Sequence, residues 1–132
     1  VVNMHICRGN FRSTWFSSGG YEPVAKTLFG HCRVDGFFLE YDSDRAGDFT
    51  PLRYIKDQKV VLGLITSKSG DLEDKGEVIA RIKEASQYVP LEQLCLSPQC
   101  GFSSTEEGNI LTIEAQWDKL KLIDEIVHEV WG

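Results

Sequence analysis

Nothing in this 132-residue chain approaches the roughly eighteen consecutive apolar residues that a membrane-spanning helix needs, and no basic leader with a small-residue cleavage site opens it. Neither a membrane span nor a secretory signal is visible, and the cytoplasm is the expected location. Basic residues are in the minority: 14 Lys and Arg face 20 Asp and Glu, a formal net charge of −6, and they are scattered rather than gathered in a stripe. Nucleic acid and anionic lipid are therefore poor partners. Cysteine is sparse. In a chain of this size without a signal peptide, Cys7, Cys32, Cys95 and Cys100 read as ligands or buried thiols rather than as disulfides. No repeat, low-complexity segment or Pro- or Gly-rich linker divides the chain, so residues 1–132 form one domain. A composition of 42% hydrophobic and 26% charged residues suits a single soluble core. G-x-G-x-x-G and Walker patterns are also missing, which leaves Gly101 to Gly108 as a loop and not a phosphate cradle. The start "VVNMHIC" has no initiator Met and opens on a strand, so the chain is expected to be the C-terminal piece of a longer protein.

Four nearly continuous apolar runs are present: Val1–Cys7, Gly36–Tyr41, Val60–Thr66 and Leu94–Ser97. Continuous rather than alternating runs predict parallel strands buried on both faces. Helical patterns lie between them. "GGYEPVAKTLFG" has Pro23 in its first turn and Gly30 as a stop, and "PLRYIKD" reads as a short helix. "DLEDKGEVIARIKEASQYV" sets Leu72, Val78, Ile79, Ile82 and Ala85 on one face. The final pattern has Thr112 as N-cap and Trp117, Leu120, Ile123, Ile126, Val127 and Val130 at three- and four-residue spacing. Strand then helix, four times over, is the repeat of a parallel α/β sheet. Four parallel βα units are half of a (β/α)8 TIM-type barrel.

In such a barrel the C-terminal strand ends share one rim, where the chemistry sits. Here that rim collects His5 and Cys7, then Glu40, Tyr41 and Asp42, then Thr66 to Lys68, then Pro98 to Cys100. His5 and Cys7, two positions apart on a strand, face the same side. With Glu40 and Cys100, assigned by their place in the fold, they offer two thiolates, an imidazole and a carboxylate, a donor set that suits tetrahedral Zn2+ at about 2.0–2.3 Å. Three anionic ligands around a dication leave about −1 by formal counting. Such an electron-rich zinc activates water poorly but keeps a bound thiolate nucleophilic, so thiol alkylation is expected rather than hydrolysis.

The segments "MHICRGNFRSTW", "DGFFLEYD", "LGLITSKSGDLED", "YVPLEQLCLSPQCGFSSTEEGN" and "LTIEAQWDKLKL" resemble the C-terminal part of the catalytic zinc barrel of cobalamin-independent methionine synthase, above all its shorter bacterial relatives. The resemblance implies a zinc methyltransferase of methionine biosynthesis. It would move a methyl group from 5-methyltetrahydrofolate, mono- or polyglutamate, to the thiol of homocysteine. His5, Cys7, Glu40 and Cys100 match the family's metal ligands. One position departs: where the family has a histidine proposed to assist proton transfer, this chain has Lys68, which makes Lys68 the candidate proton donor. Asp42 and Arg45, beside Asp44 in "EYDSDRAGDF", are candidates for contacting the amino-acid substrate. The resemblance also implies that the remainder of the barrel is a partner, that the isolated piece is inactive, and that its open sheet edges invite oligomerisation.

Other readings stay open. A related zinc-dependent thiol methyltransferase with a different methyl donor would carry the same ligands, as would a non-catalytic zinc-binding barrel fragment. A zinc hydrolase or lyase would be expected to have a more cationic ligand shell. The acidic run is not an EF-hand, since its oxygens do not follow the D-x-[DN]-x-[DN]-G spacing. Cys32 and Cys95 read as small core hydrophobes, with Cys95 pointing away from the rim, and His31 and His128 as surface residues. Trp15, Trp117 and Trp131 are expected to pack helices against the barrel, and "RGNFRSTW" to be a basic-aromatic loop in which Arg8 and Arg12 could meet a carboxylate.

Overall fold

A computed structural model of the chain describes residues 1–7, 19–42, 46–103, 106 and 108–132, together with the backbone of residues 10–11 and 14–15. The elements in order are β1 (Asn3–Ile6), β2 (Asn10–Phe11), β3 (Thr14–Trp15), α1 (Glu22–His31), β4 (Gly36–Glu40), β5 (Lys59–Ile65), α2 (Lys75–Ala85), β6 (Leu94–Pro98) and α3 (Ile113–Trp131). Four strands form one parallel sheet in the order β1-β4-β5-β6, while β2 and β3 pair antiparallel as a separate small hairpin. The hairpin occupies part of what reads as loop in the sequence.

Local chemistry explains the helices. Pro23 lies in the first turn of α1, where a missing N–H leaves no hydrogen bond unmade. Asp74 caps α2 by accepting from the Glu77 amide at 2.9 Å, and Thr112 caps α3 by accepting from the Ala115 amide at 3.1 Å. Gly30 does not stop α1. The helix runs on through His31, and the extended Cys32 ends it with an amide bond to the Leu28 carbonyl. The second βα unit has only a 3-10 turn, Thr50–Tyr54, since Pro51 and the short segment before Lys59 leave no room for a longer helix.

The sheet faces are unequal, which corrects the expectation of strands covered on both sides. Phe37, Leu39, Val60, Leu62 and Leu94 are buried beneath the helices. An aromatic series joins Phe29 to Phe37 at 5.1 Å, Tyr21 to Tyr41 at 5.3 Å and Tyr41 to Phe49 at 4.5 Å. The opposite, inner face is open: Asn3, His5 and Cys7 are exposed, as is Phe38 at 36%. Cys95 is in register with Val61 and thus with Phe38 and His5, so it lies on this inner face, part-buried, and not on the outer side. Cys32 packs against the core as expected, and His31 and His128 are exposed.

The face of α3 is turned relative to its apolar pattern. Lys119, Leu122 and Ile126 are buried, while Trp117 is 59% exposed and does not pack the helix inward. A polar anchor sets this phase: the fully buried Lys119 ammonium donates to the Asp71 carbonyl at 2.8 Å and to Glu73 Oε1 at 2.9 Å. Trp131 behaves as expected and donates its indole N–H to the Leu91 carbonyl at 3.0 Å. In α2, Val78, Ile82 and Ala85 form the buried line; Leu72 precedes the helix and is 53% exposed. The side chain of Trp15 lies outside the described residues. No helix among those described is long and apolar enough to cross a membrane.

Candidate metal centre

Register builds the site. Parallel pairing sets His5 beside Phe38, Phe38 beside Val61 and Val61 beside Cys95, and one layer higher sets Glu40 beside Gly63 and Gly63 beside Ser97. Cys7, two residues past His5, reaches this higher layer from β1. A β-carbon at Gly63 would stand 2.9 Å from the Leu39 carbonyl, so only glycine fits between Glu40 and Ser97, and it leaves the space above the sheet open. A register shift between Gly63 and Ile65 then skews β5 against β6, and the Gln99 amide bonds to the Ile65 carbonyl at 2.8 Å. Cys100 follows with φ 35° and Gly101 with φ 79°. A non-glycine residue in this left-handed region is strained by about 1–2 kcal/mol, and such strain gathers at functional sites.

The turn brings Cys100 Sγ to 2.6 Å from Glu40 Oε1, 3.1 Å from Cys7 Sγ and 3.7 Å from His5 Nε2. All four donor atoms lie within 4.8 Å of one another. None of the four thiols of the chain is in a disulfide. Glu40 is 1% exposed, and Tyr21 fixes its backbone: the phenol accepts from the Glu40 amide at 2.8 Å and donates to the Glu40 carbonyl at 3.2 Å. Burial, then the hydrogen bonds to Glu40 and Cys7, push the Cys100 thiol far above its ordinary range. Three groups that become anions are packed together here, an arrangement that a central cation would relieve. Two thiols, an imidazole and a carboxylate gathered this closely are a donor set that zinc takes in tetrahedral geometry, so the residues fit zinc. Beside them is a cavity of about 320 Å³ lined by His5, Phe38, Glu40, Gly63, Ser97 and Cys100, among others.

Lys68 and Asp42 reach the same rim and are joined by a residue that the sequence did not single out. Lys68 Nζ donates to Gln99 Oε1, and Gln99 Nε2 donates to Asp42 Oδ1 at 2.7 Å, with Gln99 only 1% exposed. Gln99 and Tyr21 are ordinary residue types with no ligand spacing; the only sequence cue was that Gln99 sits beside Cys100 at a strand end. Arg45, Asp44, Arg8 and Arg12 lie outside the described residues.

No family model matches the chain. Two Bacillus subtilis proteins given as uncharacterized, YxjH and YxjG, are 60% and 61% identical over 133 residues, which is 99% of this chain and 35% of each of them. The methionine synthase of Pyrococcus horikoshii is 24% identical over 100 residues, 76% of this chain and 26% of that protein. A solved Listeria monocytogenes structure, provisionally named a vitamin-B12-independent methionine synthase, is 48% identical with a TM-score of 0.74, over 100% of this chain and 35% of that one. Along its whole length the chain is thus similar to part of a protein named as a cobalamin-independent methionine synthase. A B12-independent methionine synthase from Shewanella, solved in complex with selenomethionine, has the same fold at 23% identity and a TM-score of 0.74, over 96% of this chain and 38% of that one. Like these methionine synthase structures, the chain is α/β, and its four parallel strands make half of a TIM-type barrel. It spans about a third of the length of the relatives that match it most fully.

Proposed function

We propose that this chain carries the metal centre of a zinc-dependent methyltransferase that moves the methyl group of 5-methyltetrahydrofolate to homocysteine and forms methionine. The observation that carries the reading is the convergence of His5, Cys7, Glu40 and Cys100 from three strand ends, with their donor atoms within 4.8 Å of one another. Its support from relatives is the name methionine synthase on the Pyrococcus proteins and the selenomethionine bound by the Shewanella one, a selenium analogue of the proposed product.

Zinc, when bound, would supply the positive charge that lowers the thiol pKa of homocysteine, so that its sulfur attacks as thiolate near neutral pH. The residues of the chain do the rest. His5, Cys7, Glu40 and Cys100 hold the metal, with Tyr21 keeping the Glu40 backbone in place. The cavity beside Phe38 and Gly63 admits the thiol side chain. Lys68, held by Gln99, would give a proton to the departing ring nitrogen, and Asp42 would receive the charged end of the amino acid, a role proposed also for Arg45. Residues 1–132 would form the C-terminal half of the catalytic barrel, with the remainder of the parent chain supplying most contacts to the folate.

The deciding experiment incubates the full-length protein with homocysteine and 5-methyltetrahydrofolate and measures methionine. Formation that stops on chelation and returns with Zn2+ supports the reading. Methionine formed only from another methyl donor would make the protein a related thiol methyltransferase. Tight zinc binding with no transfer from any donor would leave the metal a structural part.

A further inference from the structure

Three rim segments are tied together by one line of hydrogen bonds. It starts at the buried Lys119 of α3, passes to Glu73 Oε1 and from there to the Thr66 amide at 3.2 Å. Thr66 Oγ1 accepts from the Lys68 amide at 3.1 Å, Lys68 Nζ donates to Gln99 Oε1, and Gln99 Nε2 donates to Asp42 Oδ1. Gln99 is the midpoint of the functional end of this line, and its amide fits in one orientation only. An ammonium can only donate and an ionised carboxylate can only accept, so the amide oxygen must face Lys68 and the amide nitrogen must face Asp42. Gln99 itself is fixed from behind by the bond from its backbone N–H to the Ile65 carbonyl.

We infer that Gln99 is a positioning residue: its buried amide, which lines the cavity, acts as a polarised spacer that keeps Lys68 and Asp42 apart at the rim instead of letting them close into an ion pair with each other. The spacer role rests on geometry alone, and only its kinetic consequence rests on the methyl-transfer reading. A glutamine is the shortest neutral side chain that offers both a donor and an acceptor at this reach. Replacing it by the similarly sized Met removes both hydrogen bonds. The two charges left behind on a part-buried rim are then drawn directly to each other, because opposite charges attract more strongly as water is excluded. Glu in its place still accepts from Lys68 but sets a second carboxylate against Asp42.

The test uses the full-length protein and two readouts. The first is the rate at which Lys68 is acetylated by an amine-reactive reagent, followed by mass spectrometry of its peptide, which needs no catalysis. Gln99→Met is expected to change this rate at least threefold. The second readout is methyl transfer to homocysteine. Gln99→Met is expected to lower kcat at least tenfold and Gln99→Glu to act mainly through KM. Zinc affinity within threefold of the parent in all variants shows that Cys100 has not moved. An unchanged Lys68 labelling rate in Gln99→Met, or a loss of zinc that accounts for the whole kinetic effect, overturns the inference. A parent protein without methyl transfer, yet with the expected labelling pattern, would refute the functional reading and leave the spacer standing.

Discussion

At the scale of single residues, Cys100 carries the largest concentration of opposing effects. It holds a left-handed backbone, a part-buried thiol and contacts to Glu40, Cys7 and His5. Replacing it with Ser keeps size and polarity but removes the soft donor, so zinc affinity should fall by more than the roughly 10- to 100-fold typical of changes just outside a ligand shell. Competition against a chromophoric chelator measures this, and undiminished affinity would remove Cys100 from the centre. The same thiol fixes a pH dependence. Burial and its acidic neighbours hold the Cys100 proton in the folded chain at pH values where an unfolded thiol, with a pKa of about 8.5, has lost it. The folded metal-free state therefore binds more protons than the unfolded state in this window, and its stability should fall as pH rises beyond about 8.5. Zinc must displace those protons, so metal affinity should rise with pH over the same range. Urea titrations of metal-free protein between pH 7 and 10 check the first statement; stability that increases with pH would contradict the assigned environment.

At the scale of elements, the buried pair Lys119 and Glu73 links α3 to the segment that carries Thr66 to Lys68. Lys119 is fully buried and Glu73 is one-fifth exposed. Removing only one partner leaves a poorly solvated charge, so Lys119→Met should cost about 3 kcal/mol in urea unfolding, while Lys119→Met with Glu73→Leu should recover most of that loss. Equal losses in the single and double variants would show that the ammonium acts through the Asp71 carbonyl alone. This pair also marks where sequence reading gave out. The strand runs, the Thr112 cap and the parallel order were legible because continuous apolar runs and caps are local signals. His5 and Cys7 were legible from their two-residue spacing, and Glu40 from its place at the end of an apolar strand run. The orientation of α3 was not, because apolar spacing placed Trp117 inward whereas an ion pair with a distant loop turns Lys119 inward instead. Gln99 was equally hidden: its two partners, Asp42 and Lys68, come from other strand ends, and only the register brings all three together.

At the scale of the whole molecule, the layer of side chains that a closed barrel would interlock is open to solvent on one side. His5 and Phe38 are exposed while Val61 and Cys95 are part-buried, and β1 and β6 form the two edges of the four-stranded sheet. In a complete barrel, residues at these positions pack against those from the other strands, and no edge remains. An open apolar layer between two unpaired edges favours association of this 132-residue chain with itself when it is made alone. Light scattering across micromolar concentrations should therefore show mass rising with concentration. Phe38→Ser, which removes the most exposed apolar side chain of the inner face, should weaken that rise without affecting zinc affinity more than a few-fold, since Phe38 contributes no donor. Supplying the rest of the barrel as a second polypeptide should suppress self-association and produce methyl transfer together, because one surface serves both. A monodisperse monomer that forms methionine by itself would instead mean that the half barrel closes its own site, and would refute the proposed need for the remainder.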